Sequence, residues 1–422
     1  MIYFLYDILI FLAALIYLPF YALRGRVHCE ILTRLGFFKK DFFLSIKGKD
    51  VVWVHAVSVG EARAAESLFA LIRDRWPQKR LVVSTVTPTG QAIIKKILKD
   101  DELSFYAPLD ISFVVKKFLA HIAPGLLIIM ETELWPNLIR LSKKNGAAVV
   151  VVNGRISDRS LRGYQRLKPF LGPVLKSVDL FCMQTEESAQ RIIDLGVAKN
   201  RVRMTGNIKF DISSQLKESP LLERFKNIIS GSLLFVAGST HEGEEEAIVA
   251  IYQSLRKDFS RLRLLIAPRH LDRMDKIRRL VRQEGLESLF FSRLSSSFSS
   301  GQVVLLDTIG DLNSLYGFCD VAFVGGSLVE KGGHNLIEPA LFGKPIFFGR
   351  HMENFKEIRD IFVRQRAAIE INSAQELEYE LRRLLGDPQE RKALGERARN
   401  LLESNRGAAQ RTFSEILKIV KT

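Results

Sequence analysis

From residue 51 onward this 422-residue chain alternates short Val- and Ile-rich runs with amphipathic helical stretches, and it does so twice. Few architectures accept that pattern. Apolar runs too short to be helices, separated by helical segments, are parallel strands covered on both faces by their crossover helices. In the first series, strands are expected at Val51 to Ala56, Arg80 to Thr85, Ser104 to Ala107, Gly125 to Met130, Ala147 to Asn153 and Leu180 to Gln184. Helices are expected at Glu61 to Trp76, Ala92 to Leu98 and Tyr164 to Ser177. The second series predicts strands at Leu233 to Ala237, Leu262 to Ala267, Leu289 to Phe291, Val303 to Leu306, Val321 to Val324 and Pro345 to Phe348, then helices at Ser373 to Leu385 and Pro388 to Ser404. The fold class is therefore α/β, with two doubly wound, Rossmann-like domains.

Domain boundaries follow from breaks in this pattern. Residues 25–211 form the first domain, the polar, serine-bearing stretch 212–231 reads as a linker, and 232–405 form the second domain. Two such halves imply a cleft, with ligands at the carboxyl ends of the strands. The last segment, 406–422, is expected as a helix bracing the first domain. Residues 1–24 read as a membrane anchor: Ile2 to Leu23 is apolar except for Asp7 and would reach roughly 33 Å as a helix. Arg24, Arg26, Arg34, Lys39 and Lys40 follow it and nothing basic precedes it, which places the body in the cytoplasm. Asp7 and Pro19 leave open a helix lying in the interface rather than spanning it.

Net charge is +15, from 62 Lys and Arg against 47 Asp and Glu, which favours an anionic partner. The basic residues are scattered rather than striped with aromatics, so nucleic acid is disfavoured against a phosphorylated substrate or acidic lipid. Cys29, Cys182 and Cys319 lie far apart with no ligand spacing, which argues against disulfides and zinc. No metal or cofactor is expected.

The loops that close the strands carry the candidate chemistry. His55-Ala56-Val57-Ser58-Val59-Gly60-Glu61 is a strand, a tight turn through Ser58 and Gly60, and a helix start. Glu61 falls in the first helical turn, where the dipole favours its ionised form, fit either to stabilise the helix or to take a proton from an attacking hydroxyl. Glu131-Thr132-Glu133-Leu134-Trp135-Pro136 follows a buried strand, where carboxylates are costly unless solvated or used. Glu131, nearest the strand, is the better functional candidate. The two arginines of Asn153-Gly154-Arg155-Ile156-Ser157-Asp158-Arg159-Ser160 suit a phosphorylated acceptor or local acids. Lys209, in Gly206-Asn207-Ile208-Lys209-Phe210-Asp211, would bring a positive charge to a carboxylate or phosphate, or stay a solvated linker lysine.

In the second half, Gly238-Ser239-Thr240-His241 opens a Glu-rich helix and reads as a cap with an acidic first turn. Arg269 could clamp a phosphate and His270 touch the base or sugar. The turn Ile309-Gly310-Asp311 offers a backbone site. In Gly332-Gly333-His334-Asn335-Leu336-Ile337-Glu338-Pro339 the glycines permit close approach to a ligand, the helix start offers N–H groups to a phosphate, and Glu338 could accept from ribose hydroxyls. Walker and Gly-x-Gly-x-x-Gly sequences are absent, which disfavours phosphate hydrolysis and dinucleotide redox chemistry.

Taken in order, HAVSVGE, ETELWP, NGRISDRS, GNIKFD, GSTHEGEE, APRH and GGHNLIEP resemble the bacterial 3-deoxy-D-manno-octulosonic acid (Kdo) transferases of lipopolysaccharide synthesis, nearly end to end. The resemblance implies the GT-B architecture of two facing Rossmann-like domains with an N-terminal membrane-anchor helix. It implies inverting transfer of Kdo from CMP-Kdo to a phosphorylated lipid A precursor, with inner-membrane lipids as the other partner. By the same resemblance Glu61 matches the general base, and Glu131 and Lys209 match positions that stabilise the transition state. Arg269, His270, Ile309 to Asp311 and Asn335 to Glu338 match CMP-binding segments; Ser58, Gly60, Ser239, Thr240, Gly333 and His334 would support them. The alternatives are a UDP-sugar-using enzyme of the same architecture (transferase or epimerase) and a non-catalytic, membrane-tethered nucleotide-sugar-binding protein.

Overall fold

The computed structural model describes residues 2–23, 31–39, 41–211, 219–294, 299 and 301–420. Arg24, Arg26, Cys29, Lys40 and the 212–218 part of the expected linker lie outside the described residues. The chain divides into two compact units: Met1–Asp211 with Asn405–Thr422, and Ile212–Ser404.

The first unit is built on seven parallel strands: β1 (Val51–His55), β2 (Arg80–Thr85), β3 (Leu103–Tyr106), β4 (Leu126–Met130), β5 (Ala148–Gly154), β6 (Leu180–Met183) and β7 (Val202–Met204). Their order across the sheet is β3-β2-β1-β4-β5-β6-β7. Every residue of β1 and β4 is buried, the reason these strands read as unbroken apolar runs. Trp53, Phe105 and Phe118 fill one face of the sheet, and Val52, Val54, Leu68 and Phe69 the other. The strand order reverses between β1 and β4. In an open parallel sheet that is where two neighbouring crossovers leave on opposite faces and open a crevice at the carboxyl ends.

The second unit repeats the plan with β8 (Leu233–Thr240), β9 (Leu262–Pro268), β10 (Glu287–Phe290), β11 (Gln302–Leu305), β12 (Val321–Val324), β13 (Ile346–Gly349) and β14 (Ile369–Ile371). All pairings are parallel, in the order β10-β11-β9-β8-β12-β13-β14, and the reversal falls between β8 and β12.

Several expectations need correction. The stretch read as a linker holds the helix Pro220–Ile228, capped by Ser219, with Leu222 and Phe225 buried in the second core. Its polar residues mask an apolar stripe. The helix expected at Tyr164 to Ser177 is two, Asp158–Arg166 and Lys168–Lys176, with Pro169 starting the second, where its missing N–H is harmless. The three-residue edge strands β7 and β14 are too short to show a period of two.

The C-terminal helix, Ala408–Leu417, belongs to the first unit. The carboxylate of Asp211 accepts from the N–H groups of Gly407 and Ala409 at 2.6 and 2.5 Å, Thr412 meets Thr205 at 2.9 Å, and the Phe413 ring lies 4.9 Å from Trp76.

The N-terminal helix, Ile2–Leu23, does not stand apart from the body. Asp7, the one charge in the expected anchor, accepts from the N–H of Ser112 at 3.0 Å and from Asn137 Nδ2 at 2.7 Å. Next to it, Tyr6 donates to Asp110 at 3.0 Å, while Tyr3 and Tyr6 pack on Phe170. The opposite face, including Phe4, Leu5, Leu9, Leu12, Leu15 and Ile16, is exposed. Among the described residues no helix is long and apolar enough to cross a membrane.

Because Phe413 is 1% exposed and fills the layer beside Trp76, Phe413→Ala should destabilise the first unit by about 3–5 kcal/mol, measured by urea unfolding.

Candidate active site

Two polar clusters sit at the two points of strand reversal. In the first unit, β1 runs into the loop Ala56 to Ser58, and Ser58 caps the helix Val59–Arg75 by accepting from the N–H of Glu61 at 3.3 Å. Glu61 answers with both oxygens, accepting from the Val57 N–H and the Ser58 hydroxyl, each at 2.8 Å. Its side chain is therefore fastened to the turn that starts its own helix. The expectation that the helix dipole keeps Glu61 ionised is overturned in degree. Burial raises its pKa to about 7, against the two hydrogen bonds, and the charges of Glu131 and Glu133 add to the rise.

Glu131 ends the neighbouring strand β4. Its backbone is left-handed, at φ 55°, which turns the carboxylate toward Lys209 Nζ at 2.8 Å and Arg155 Nε at 3.0 Å. Burial pushes this carboxyl up, but Lys209 and Arg155 outweigh it and hold the pKa below the ordinary value. Two carboxylates of one site thus have opposite leanings: Glu61 is poised to exchange a proton near neutrality, and Glu131 stays an anion.

Lys209 comes from beyond the edge strand β7, and its arrival depends on a residue the sequence reading passed over. Asn153, at the end of β5 with φ 57°, accepts from the Ile208 N–H at 3.0 Å. Asn207 caps the same turn through the Lys209 N–H at 3.0 Å. His55 is fully buried and lies edge-on to Trp135, ring centroids 4.9 Å apart, with Nδ1 against Ser84 at 2.9 Å. Burial and Arg34 lower its pKa to about 3, so it is a neutral packing group.

In the second unit, the loops after β8, β9 and β12 bring three histidines together. His241 and His334 meet through Nε2 at 2.9 Å, and the His270 ring lies 5.7 Å from His241. Burial, with Arg269 next, lowers the pKa of His334 to about 4; burial, with His270 next, lowers that of His241. Both rings are held toward the neutral form, and Arg269, Lys331 and Arg273 bring positive charge to this side. Gly326 has φ 67°, a left-handed backbone that favours glycine, and a Cβ there would crowd both rings at 3.1–3.2 Å.

Beneath this cluster Glu244 is fully buried and accepts from the N–H groups of His241, Gly326, Ser327 and Leu328 at 2.7–3.0 Å. It stitches the loop after β8 to the loop after β12. Glu245 does the same for Thr240 and Arg273, at 2.9 and 2.8 Å. Neither role was legible in the acidic first turn, because a surface cap and a buried brace share the same spacing.

The remaining candidates fall on the same edge of this sheet. Gly310 has φ 90°, Asp311 is buried with Thr308 donating to it at 2.5 Å, and the Ile309 side chain is exposed. Asn335 accepts from the Ile337 N–H at 3.1 Å and reaches Glu338 at 3.4 Å. That contact corrects the expectation of a free helix terminus for a phosphate: the helix Ile337–Leu341 is one short turn and Asn335 occupies its first N–H. Gly332 and Gly333 have φ 82° and 69°, and at Gly333 a Cβ would overlap Met352. Ser239, at φ 57°, and Thr240 shape the β8 loop. Among the described residues no group of three His, Cys, Asp or Glu is arranged to hold a metal ion.

Comparison with known proteins places this geometry. The profile described as 3-Deoxy-D-manno-octulosonic-acid transferase (kdotransferase) matches residues 30–212, and that of Glycosyl transferases group 1 matches 233–401. The 3-deoxy-D-manno-octulosonic acid transferase of Haemophilus influenzae is 35% identical over 87% of this chain and 86% of its own length. That of Chlamydophila psittaci is 29% identical over 99% and 96%. In fold alone, the chain is similar to the UDP-GlcNAc 2-epimerase of Neisseria meningitidis, with a TM-score of 0.58 at 12% identity over 87% of this chain and 100% of that one. Two doubly wound units with polar clusters at their strand reversals, matched by these profiles, make the protein a glycosyltransferase. The chain belongs to the 3-deoxy-D-manno-octulosonic acid transferase family.

The raised pKa of Glu61 gives a signed prediction. Because its folded pKa lies above the unfolded value, its contribution to stability is full below about 4.5 and is lost as pH rises through about 7. Glu61→Gln cannot ionise, so its melting temperature relative to wild type should rise between about pH 5.5 and about pH 8.5.

Proposed function

We propose that the protein is a GT-B glycosyltransferase that moves Kdo from CMP-Kdo to a hydroxyl of a phosphorylated lipid A precursor, with inversion at the anomeric carbon. The observation that carries this reading is the pairing of a buried Glu61, titrating near 7, with an ionised Glu131 locked to Lys209 on the adjacent strand. A base whose pKa matches the working pH combines adequate basicity with an adequate population of the ionised form. Glu61 takes the proton of the acceptor hydroxyl as its oxygen bonds to the anomeric carbon. The bond from that carbon to the phosphate oxygen breaks, and CMP leaves with the electron pair. Glu131 offsets the positive character that develops on the sugar ring, and Lys209 offers its charge to the donor carboxylate or phosphate.

In the second unit, Arg269 would neutralise the phosphate, with the neutral His241–His334 pair supplying uncharged hydrogen-bond partners and His270 touching the base or sugar. The Ile309 to Asp311 turn and the Asn335 to Glu338 segment would hold the nucleoside, Glu338 accepting from the ribose hydroxyls. No resident cofactor enters this scheme.

The N-terminal helix supports attachment at the cytoplasmic face of the inner membrane, lying in the interface. Its inner face is tied to the body by Asp7 and Tyr6, and its outer face offers Phe4, Leu5, Leu9, Leu12 and Ile16 to lipid.

Two measurements test the assignment. Glu61→Gln should keep CMP binding and lose about 10²–10⁴-fold in kcat, and wild-type kcat should climb as pH rises through about 7; near-normal turnover of the variant would remove Glu61 as base. CMP should raise the melting temperature of the protein well above the effect of UDP, whereas the UDP-sugar alternative requires the reverse order.

A further inference from the structure

The mechanism leaves unused a cavity of about 320 Å³ between the N-terminal helix and the loop that carries Glu131, lined by Tyr6, Ile10, Leu109, Asp110, Leu134 and Trp135. Its size falls at the small end of ligand pockets, ~300–1,000 Å³. What it binds is decided by the state of its polar atoms. The carboxylate of Asp110 already accepts from Tyr6, from the Asn137 N–H and from the Leu138 N–H, at 2.8–3.0 Å. The Trp135 indole N–H is taken by Glu133 at 3.2 Å. The wall therefore offers an occupant the Tyr6 and Trp135 rings and the side chains of Ile10, Leu109 and Leu134, all half-buried. A polar ligand would compete for groups that are already engaged, whereas an apolar chain would displace none of these bonds.

We propose that this cavity seats an acyl chain of the lipid acceptor, which makes the N-terminal helix part of the acceptor site as well as a membrane contact. This rests on the transfer to a phosphorylated lipid proposed above. Three features commit the pocket to that occupant. Tyr6 and Ile10 lie on the helix whose opposite side carries the exposed apolar row Ile8, Leu9, Leu12 and Ile16, so the pocket sits under a helix whose outer face is apolar. Leu134 and Trp135 belong to the same short loop as Glu131, so a chain anchored there holds its head group within a few residues of the reacting carboxylates. The helix Asp158–Arg166 presents Arg159, Arg162 and Arg166 exposed, and the helix that follows it touches the N-terminal helix through Phe170 and Tyr3. Positive charge for phosphate thus flanks an apolar seat for the chain.

The test uses the full-length protein in a nonionic detergent with two acceptors, a tetra-acylated disaccharide bisphosphate and its fully deacylated counterpart. Each methylene seated in the pocket contributes about fourfold in affinity, from ~0.8 kcal/mol. Wild type should therefore show a KM at least tenfold higher for the deacylated acceptor. Ile10→Trp and Leu134→Trp fill the cavity from opposite walls, and each should close that gap by raising KM for the acylated acceptor. A gap that persists in both variants overturns the pocket while leaving the transfer reading intact. An acylated acceptor carrying a diazirine on its chain reads the seat without turnover: label on the peptides holding Ile10 or Leu134 and Trp135 supports it, and label confined elsewhere overturns it. Failure of wild type to form product from either acceptor would instead remove the transfer reading, with the labelling result still deciding the pocket.

Discussion

The structure turns on a single electrostatic demand: a carboxylate delivered to the end of a fully buried parallel strand must be met by charge or by N–H groups. Leaving it unmet would cost several kcal/mol for each ion. Four glutamates meet that demand, each with its own set of partners. Glu131 recruits Lys209 and Arg155, Glu61 recruits its own turn, Glu244 takes four backbone N–H groups, and Glu245 takes Thr240 and Arg273. Each solution also fixes a loop at a strand reversal.

Different partners give chemically similar groups different tasks. Glu131 has two cations and stays ionised; Glu61 has only neutral donors, so burial dominates and its proton becomes exchangeable near neutrality. Glu244, with neutral donors as well, is also pushed upward, but every oxygen is spent on backbone and it serves as a brace. The loops that hold these groups carry left-handed backbone at Glu131, Asn153 and Ser239, at roughly 1–3 kcal/mol each. That strain is sustained by the packed sheets below it and sets where the side chains aim.

The N-terminal helix obeys the same rule. Asp7 would be prohibitive in a free apolar span, but here it meets Ser112 and Asn137, while Asp110, buried beside it, caps the helix Pro136–Lys144 and receives Tyr6. The polar seam makes the helix one wall of the first unit and leaves its apolar outer face exposed.

Much of this was legible in the chain alone. Apolar runs such as Val149 to Val152 and Leu126 to Met130 announce strands buried on both faces, because only covered strands tolerate apolar residues at every position. The loops bearing Glu61, Glu131, Arg269 and His334 could be marked because they follow those strands. What stayed hidden depends on groups distant in sequence. Lys209 meets Glu131 across 78 positions through Asn153, His241 meets His334 across 93, and Phe225 turns a polar stretch into core. Local periodicity reports which face of an element is apolar, so the alternating sheets were determined by the sequence itself. Which carboxylate keeps its proton depends on burial and on neighbours that only the folded chain assembles, so the chemistry of the site was decided by tertiary structure.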